Sequence, residues 1–481
     1  MIGSKPKVIV IGGGISGLSS AFWLMQKGID VQLLERDSRA GGLIRSERVD
    51  GFLLDYAANC VFNYLPEVNF LCHNTGLSSQ QILRQESAKK RYLLKDGVAT
   101  PVPMRLKEMI TTDLWSLRGK LRALLEPFIP RASSESEETV SQFITRRFGA
   151  EVYERSIEPY IAGTLAGDAD KSCLKSTFQQ FAKLEAEHGS ILKGVIKRKL
   201  TGVRTACAAQ VFSFRNGMGA MTEGLKNYVG DSFLPNSTVE GIEREGKQWA
   251  VHSDVSGKKK IFHADAVILA TPAGEAAKLV DPLSKNLSIL LKGVEYSPMV
   301  VSFLGFSRKD IDHPLDGIGC LFPKKEIDFN SLGSLWTSTL FEGRSKEGTV
   351  LLTNYLGGAR RPEMPGKTDE EIIALVMEDL KKVIGVKGKP VMAKVIRHRA
   401  GLPQYHLGHQ MFLEKLDEHL GLIPGLHVAG NYLGGVSVRA CISQGKELAE
   451  KIDSCLKKRG KRFTPKENRL KRDQASQVKS T

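Results

Sequence analysis

The segment VIVIGGGISGLSSAFWLMQKGIDVQLLERDSRAGGL, residues 8–43, constrains the fold more than any other stretch of the chain. It opens on four β-branched residues, Val8 to Ile11, a run that reads as a strand buried on both faces of a parallel sheet. Gly12, Gly14 and Gly17 follow at G-x-G-x-x-G spacing. A helix is expected from there to about Lys27, with Ala21 and Leu24 on its apolar side and Gly28 as its stop. A second strand, Val31 to Leu34, ends on Glu35. Gly12 permits a tight turn, Gly14 lets a pyrophosphate reach the backbone, and Gly17 lets helix and sheet pack closely. The free N–H groups at the helix start favour phosphate, and Glu35 can accept from ribose hydroxyls. With strand, helix, strand and acid in register, the pattern predicts a dinucleotide site rather than a ligand-free glycine-rich turn.

At 481 residues the chain can form one large composite fold or two to three domains. Its formal net charge is +16, and the last 25 residues, from Lys457, hold ten Lys and Arg against two Asp and Glu. A stretch of that kind reads as a solvated basic tail, disordered from 456, rather than a nucleic-acid clamp, because Phe463 is its one aromatic. Seven cysteines with no C-x-x-C fit a reducing compartment and no metal cluster. No run approaches the ~20 apolar residues of a membrane span. With no signal-like N-terminus, a cytoplasmic protein is expected.

Further motifs carry a resemblance. Gly41-Gly42 follows Glu35, and Gly51, Phe52 and Asp55 form a G-F-x-x-D segment. Here the chain resembles the FAD-containing amine oxidase and porphyrinogen oxidase superfamily, with Ala57 where a glycine is usual. The stretch IPGLHVAGNYLGGVSVRACISQGKELAEKI (423–452) resembles its C-terminal FAD segment, and HADAVILATPAGEAAKLV (263–280) its third FAD-domain strand. The resemblance implies FAD contacts at Gly12, Gly13, Gly14, Ile15, Ser16, Gly17, Glu35, Arg36, Gly41, Gly42, Leu43, Asn59, Val239, Ala270, Gly430, Asn431, Val436 and Val438.

Three stretches narrow the family: ERSIEPYIAGTLAGDADKSCLKSTF (154–178), FSFRNGMGAMTEGL (212–225) and GNYLGGVSVRACI (430–442). Together they resemble oxygen-dependent protoporphyrinogen oxidases. The implied reaction is FAD-dependent six-electron oxidation of protoporphyrinogen IX to protoporphyrin IX, with O₂ reduced to peroxide. The alternatives are coproporphyrinogen III oxidation by the same chemistry, another amine or polyene oxidase, or a non-enzymatic binder. No catalytic triad is recognisable, as expected where the cofactor carries the chemistry. The resemblance places substrate at Arg91, Gly163, Leu321, Leu335 and Tyr355, with Arg91 pairing a propionate; Lys90, Arg360 and Arg361 are further cation candidates.

The fold class that follows is α/β: a Rossmann-like FAD domain of the glutathione-reductase and amine-oxidase type, a mixed-sheet substrate domain, and a helical membrane-associated subdomain. The FAD domain is expected from 1–64, 206–290 and 405–455, the substrate domain from 65–91 and 291–404, and the helical part from 92–205. Stretches 104–130 and 191–200 mix Leu, Trp and Phe with Arg and Lys, as interfacial helices do. Expected partners are the porphyrinogen and O₂, with an anionic membrane surface, ferrochelatase and a second copy as further candidates and no nucleic acid.

Overall fold

A computed structural model of the chain describes residues 6–104, 106–132, 137–200 and 210–461. Cys207 and the tail from 462 lie outside them.

The β-branched opening does form the centre of a parallel sheet. Five strands lie in the order Phe233–Leu234, Asp30–Leu34, Lys7–Ile11, Ala266–Leu269 and Leu426–Val428. The pairings Val8 with Val31 and Val8 with Ala266 set the register. Alternation along the central strand sorts its side chains between two cores. Val8 and Val10 pack under the helices Ile15–Gln26, Gly219–Val229 and Val438–Lys461. Ile9 and Ile11 pack against Trp249 and Val251 of a three-stranded antiparallel meander (Ser237–Glu245, Gln248–Val255, Lys258–Ala264) and the helix Ala273–Val280. The last helix runs on to Lys461, so residues 456–461, expected in the tail, are helical.

A second, seven-stranded sheet has the order Met392–Pro403, Tyr296–Ser307, Thr349–Gly357, Gly333–Leu335, Gly317–Leu321, Lys90–Lys95 and Val98–Pro101. All its pairings are antiparallel except that of Gly317–Leu321 with Lys90–Lys95. One face is closed by the helix Asp369–Ile384, which starts on a capping box of Thr368 and Glu371. The expected boundary at 91/92 therefore falls inside a strand. Likewise Val68, Leu71 and Cys72 of the helix Pro66–Asn74 sit in the first core with the C-terminal helix, not with the second sheet. The apolar residues of that helix complete the core under Phe22 and Trp23, whereas residues 98–101 extend the sheet edge.

Between them, among the described residues, short helices run from Leu106 to Phe128 and from Val140 to Leu200. Arg147 is wholly buried there, held by the carboxylates of Glu126 and Glu185. Glu126 also accepts from Ser190 Oγ at 2.5 Å and Ile191 N at 2.9 Å, fixing the start of the helix Ile191–Leu200. An isolated buried charge is very costly, so this network ties three segments together.

Candidate active site

The glycine turn and the glycine pair meet. Gly41 N donates to Gly13 O at 2.8 Å, and Gly14 and Gly41 form a parallel bridge. Gly12 has φ of +108°, and a Cβ there would stand 2.7 Å from Ala270 O. A Cβ on Gly17 would stand 1.9 Å from Gly12 O, so only glycine lets the turn close over the helix start. Gly14 differs: a Cβ there would meet nothing within 4 Å, and one on Gly42 would touch Gly14 Cα alone, at 3.4 Å. Bare backbone thus faces open space on both sides of the cradle, as a diphosphate requires.

Glu35 is 8 % exposed. Gly13 N donates to its Oε2 at 2.5 Å and Asp37 N to its Oε1 at 2.8 Å, which fixes the carboxylate at the strand end and leaves lone pairs for ribose hydroxyls. Ser237 N donates to Glu35 O at 2.7 Å, bringing the strand of Val239 alongside, with a bulge between Val239 and Gly241. Ala270 N donates to Ile11 O at 2.8 Å at the head of the turn. Ile15 opens the helix and packs against the core with Ser16 next in its first turn, while Arg36 and Leu43 are exposed beside the cradle.

The distant C-terminal segment closes the other end. Ala429 N donates to Leu269 O at 2.9 Å, carrying the turn from Gly430 through Asn431 and Val436 to Val438 past the sheet end. Tyr405 Oη donates to Asn431 O and accepts from Gly435 N at 2.9 Å. His409 Nε2 is 3.0 Å from Tyr432 O; a carbonyl only accepts, so Nε2 carries the proton and Nδ1 faces Ser176 Oγ at 3.0 Å. Burial holds the His409 pKa below the usual imidazole range. The last helix packs along the first, with Val438 and Ile442 in the same core as Leu18 and Ala21.

Under the cradle, Asp55 accepts from Ser46 Oγ at 2.5 Å and Met218 N at 2.7 Å. Arg344 lies 3.3 Å from it, both side chains fully buried, and also donates to Phe214 O and Ser213 Oγ. Sequence reasoning found Asp55 but missed Arg344, whose surroundings (FEGRSKEG) read as a surface loop.

The substrate candidates share one face of the seven-stranded sheet. Tyr92 and Cys320, paired in register, point into the core under the helix Asp369–Ile384. Period two then places Arg91, Leu93 and Leu321 on the opposite face. Gly319 pairs with Leu335 and Gly333 with Tyr355, so Leu335 and Tyr355 join them. Gly163, in the helix Glu158–Leu165, abuts this face: a Cβ there would stand 2.6 Å from Leu321 Cδ2. The hairpin Ser46–Asp55 covers the far end, where Phe52 and Leu54 pack on Val301 and Phe303. Asn59 Nδ2 donates to Tyr355 Oη at 2.7 Å and links the two halves. Burial pushes the Tyr355 phenol up, so it keeps its proton. Burial, with Asp55 nearby, pushes the Cys60 thiol up to about 12.

The other cations are engaged elsewhere. Lys90 pairs with Asp316 at 2.5 Å on the opposite face, and Arg360 pairs with Glu158 at 2.6 Å while donating to Phe322 O. Arg361 donates to Asn330 Oδ1 and Phe329 O. Arg91 is exposed, and its guanidinium has no partner among the described residues.

Comparison with known proteins gives the family. Residues 15–453 match the family of flavin containing amine oxidoreductases. The chain is 31 % identical to protoporphyrinogen oxidase 2, chloroplastic/mitochondrial, of Arabidopsis thaliana, covering 94 % of this chain and 95 % of that one. It is 28 % identical to coproporphyrinogen III oxidase of Bacillus subtilis, with 93 % and 97 % covered. Among solved structures, cyclohexylamine oxidase from Brevibacterium oxydans superposes with a TM-score of 0.68 at 17 % identity, over 94 % of this chain and 100 % of that one, a likeness of fold. The chain belongs to the family of flavin containing amine oxidoreductases. It is an oxidoreductase whose cofactor is FAD, and the bare-backbone cradle with Glu35 at its edge fits that group.

Proposed function

We propose that the protein oxidises protoporphyrinogen IX to protoporphyrin IX in three two-electron steps, with O₂ as final acceptor. FAD, when bound, supplies the hydride and electron chemistry. The chain's own residues bind, orient and shield the macrocycle. Leu321, Leu335 and Tyr355 offer a flat, largely apolar surface for the tetrapyrrole, Gly163 lets the helix backbone approach its edge, and Arg91 can take a propionate through a charge-assisted contact.

The observation that carries the choice of substrate is the state of the cations. Protoporphyrinogen has two propionates and coproporphyrinogen four. Of four candidate cations only Arg91 faces the site without a partner, because Lys90, Arg360 and Arg361 are held by Asp316, Glu158 and Asn330. One cation beside a leucine surface suits the less charged ring. Coproporphyrinogen III is the second reading, supported by the Bacillus relative's name. Offering purified flavoprotein each porphyrinogen and following porphyrin fluorescence decides between them. A higher kcat/KM for protoporphyrinogen is expected; a higher value for coproporphyrinogen overturns the choice, and turnover of neither overturns the reading.

The same reading includes a cytoplasmic protein attached to an anionic membrane face, handing product to a ferrochelatase, and able to pair with a second copy. Membrane attachment is supported by Leu117, Leu121, Leu124 and Phe128, which stand exposed beside Arg118, with Leu200 exposed on the helix that Glu126 anchors. Among the described residues no helix is long and apolar enough to cross a membrane. Co-sedimentation with phosphatidylserine vesicles tests the attachment: binding is expected, with loss in Phe128→Glu, and equal binding by that variant counts against it.

A further inference from the structure

His398 is the one histidine on the seven strands of the second sheet. The register decides which way it faces. Val301 pairs with Tyr355 on one side and with Ile396 on the other, and all three pack with Phe52 and Tyr56 on the face of Leu321 and Leu335. His398 stands two residues beyond Ile396 and pairs with Met299, so it shares that face. Met299 in turn packs with Ala162, Leu332 and Tyr355, beside Gly163. Two strand spacings, about 10 Å, separate the strand of Tyr355 from that of His398, less than the breadth of a tetrapyrrole.

The ring is tied at one nitrogen. His398 Nε2 lies 2.8 Å from Tyr56 O. A carbonyl only accepts, so Nε2 carries the proton and Nδ1 keeps its lone pair. Nδ1 has no partner among the described residues and is not enclosed, the ring being half-buried. Tyr56 follows Asp55, which lies under the cofactor cradle and accepts from Met218 N. The imidazole therefore stands where the substrate face meets the cradle, and hydrogen must leave the macrocycle at that junction.

Oxidation there needs a proton acceptor as well as a hydride acceptor. Over three two-electron steps a porphyrinogen loses four hydrogens from bridging carbons and two from nitrogen, three as hydride and three as protons. In the first step a bridging C–H bond breaks and its electron pair leaves with the hydride. The cationic ring then sheds a pyrrole N–H proton, and the nitrogen keeps that pair. We propose that His398 Nδ1 takes this proton as a general base and gives it up as O₂ is reduced to H₂O₂, so that the two hydrogens lost by the ring are the two gained by oxygen. The proposal rests on the porphyrinogen reading above and deepens it.

The role requires neutral imidazole, so the step should slow in acid. The charged and titratable groups around His398 are Arg45, Glu47 and Tyr56 of the hairpin, Lys394, Arg397 and Arg399 on its own strand, Tyr355 on the sheet, and Cys60 with the buried pair Asp55 and Arg344 behind the hairpin. Hydrogen bonds from Tyr56 and Lys394 hold the Glu47 carboxyl below its usual range. Burial pushes up both phenols, and Cys60 to about 12. Burial also raises Asp55 against the pull of Arg344, which makes Asp55 the rival for an acid limb.

The test uses holoenzyme of the wild type and of His398→Gln, whose amide can still donate to Tyr56 O but cannot take a proton. Porphyrinogen is mixed with each without oxygen, and the rate of flavin bleaching is followed from pH ~8.5 to ~5.5. FAD content and affinity for the product porphyrin are measured alongside. The wild-type rate is expected to fall toward acid. His398→Gln should bleach about 100-fold more slowly and lack that fall, with FAD content and porphyrin affinity within about twofold of wild type. A rate within about twofold of wild type overturns the proposal, and so does an acid limb that persists in the variant, which would pass the role to Asp55. If His398→Gln does not fold, a wild-type rate that is flat across this range overturns it alone. A wild type that oxidises no porphyrinogen defeats the underlying reading instead.

Discussion

Around Lys7–Glu35 the candidate cofactor cradle is backbone: Gly14 and Gly42 leave space, Gly13 pins Glu35, and side chains mostly stay out of it. On the sheet of Gly317–Tyr355 the proposed substrate face is mostly side chains: Leu321, Leu335 and Tyr355, on regular strands that would pair equally well with other residues, with Gly163 the one backbone approach. A backbone site tolerates few substitutions, since each glycine answers a fixed steric demand. A side-chain face can change its ligand by changing one residue. The first half defines a class of enzyme; the second selects within it.

The strongest way to break that contrast lies inside the cradle. Gly17 and Gly14 sit in the same motif but meet different surroundings. A Cβ on Gly17 would lie 1.9 Å from Gly12 O, while one on Gly14 would meet open space. Gly17→Val should therefore abolish folded protein, read as loss of soluble expression and of a cooperative thermal transition. Gly14→Val should fold, with its far-ultraviolet dichroism intact, yet bind FAD at least about 100-fold more weakly, a loss of nearly 3 kcal/mol. If Gly14→Val retains yellow protein, the open side of the turn is not where the diphosphate lies.

This difference also explains what could be read in advance. Gly12, Gly14, Gly17 and Glu35 were legible because turn, helix packing and strand end each demand one residue type at a fixed spacing. The strand alternation that sets Arg91 against Tyr92 was not, because the parallel pairing of Lys90–Lys95 with Gly317–Leu321 joins residues more than 200 positions apart. Without that pairing, Lys90, Arg91, Arg360 and Arg361 are equivalent cations. The helix Pro66–Asn74 was assigned to the second sheet for the same reason: nothing local in it shows that Val68 and Leu71 pack under Phe22.

Arg344 marks the boundary between the two halves and carries the next largest effect. Its loop belongs to the substrate side, yet its guanidinium lies against Asp55 beneath the cradle. Removing one partner of a buried pair leaves the other charge uncompensated and costs about 3–5 kcal/mol. Arg344→Met should lower the urea midpoint of the holoenzyme by a corresponding amount. Arg344→Met combined with Asp55→Leu should recover much of the loss. An additive double variant would show that the two charges do not act as a pair.

Arg91→Ala sharpens the contrast from the other half. The residue is exposed and unpartnered among the described residues, so its removal should leave stability within about 0.5 kcal/mol, as for other surface substitutions. Losing a charge-assisted propionate contact should raise KM about tenfold with kcat little changed. Equal KM values for variant and wild type would remove Arg91 from the site and with it the argument that one cation selects the less charged porphyrinogen.

The smallest effect lies where the helical part touches the cofactor turn. His409 bridges Ser176 and Tyr432 O in its neutral form. Its folded pKa lies below the ordinary 6.5 because burial disfavours the imidazolium. The unfolded chain therefore binds a proton at this site more readily than the native one, and the stability it contributes is present above pH ~6.5 and lost as pH falls from there through the folded pKa. Each unit of depression is worth about 1.4 kcal/mol once that range has been crossed. Urea midpoints measured at pH ~7.5 and ~5.5 should fall more in the wild type than in His409→Phe, which cannot titrate. Other titrating groups act alike in both proteins, so the difference in slope isolates this ring. Parallel slopes would mean that the cofactor turn is held by Tyr405 and the sheet end alone, and that the helical part does not brace the cradle through His409.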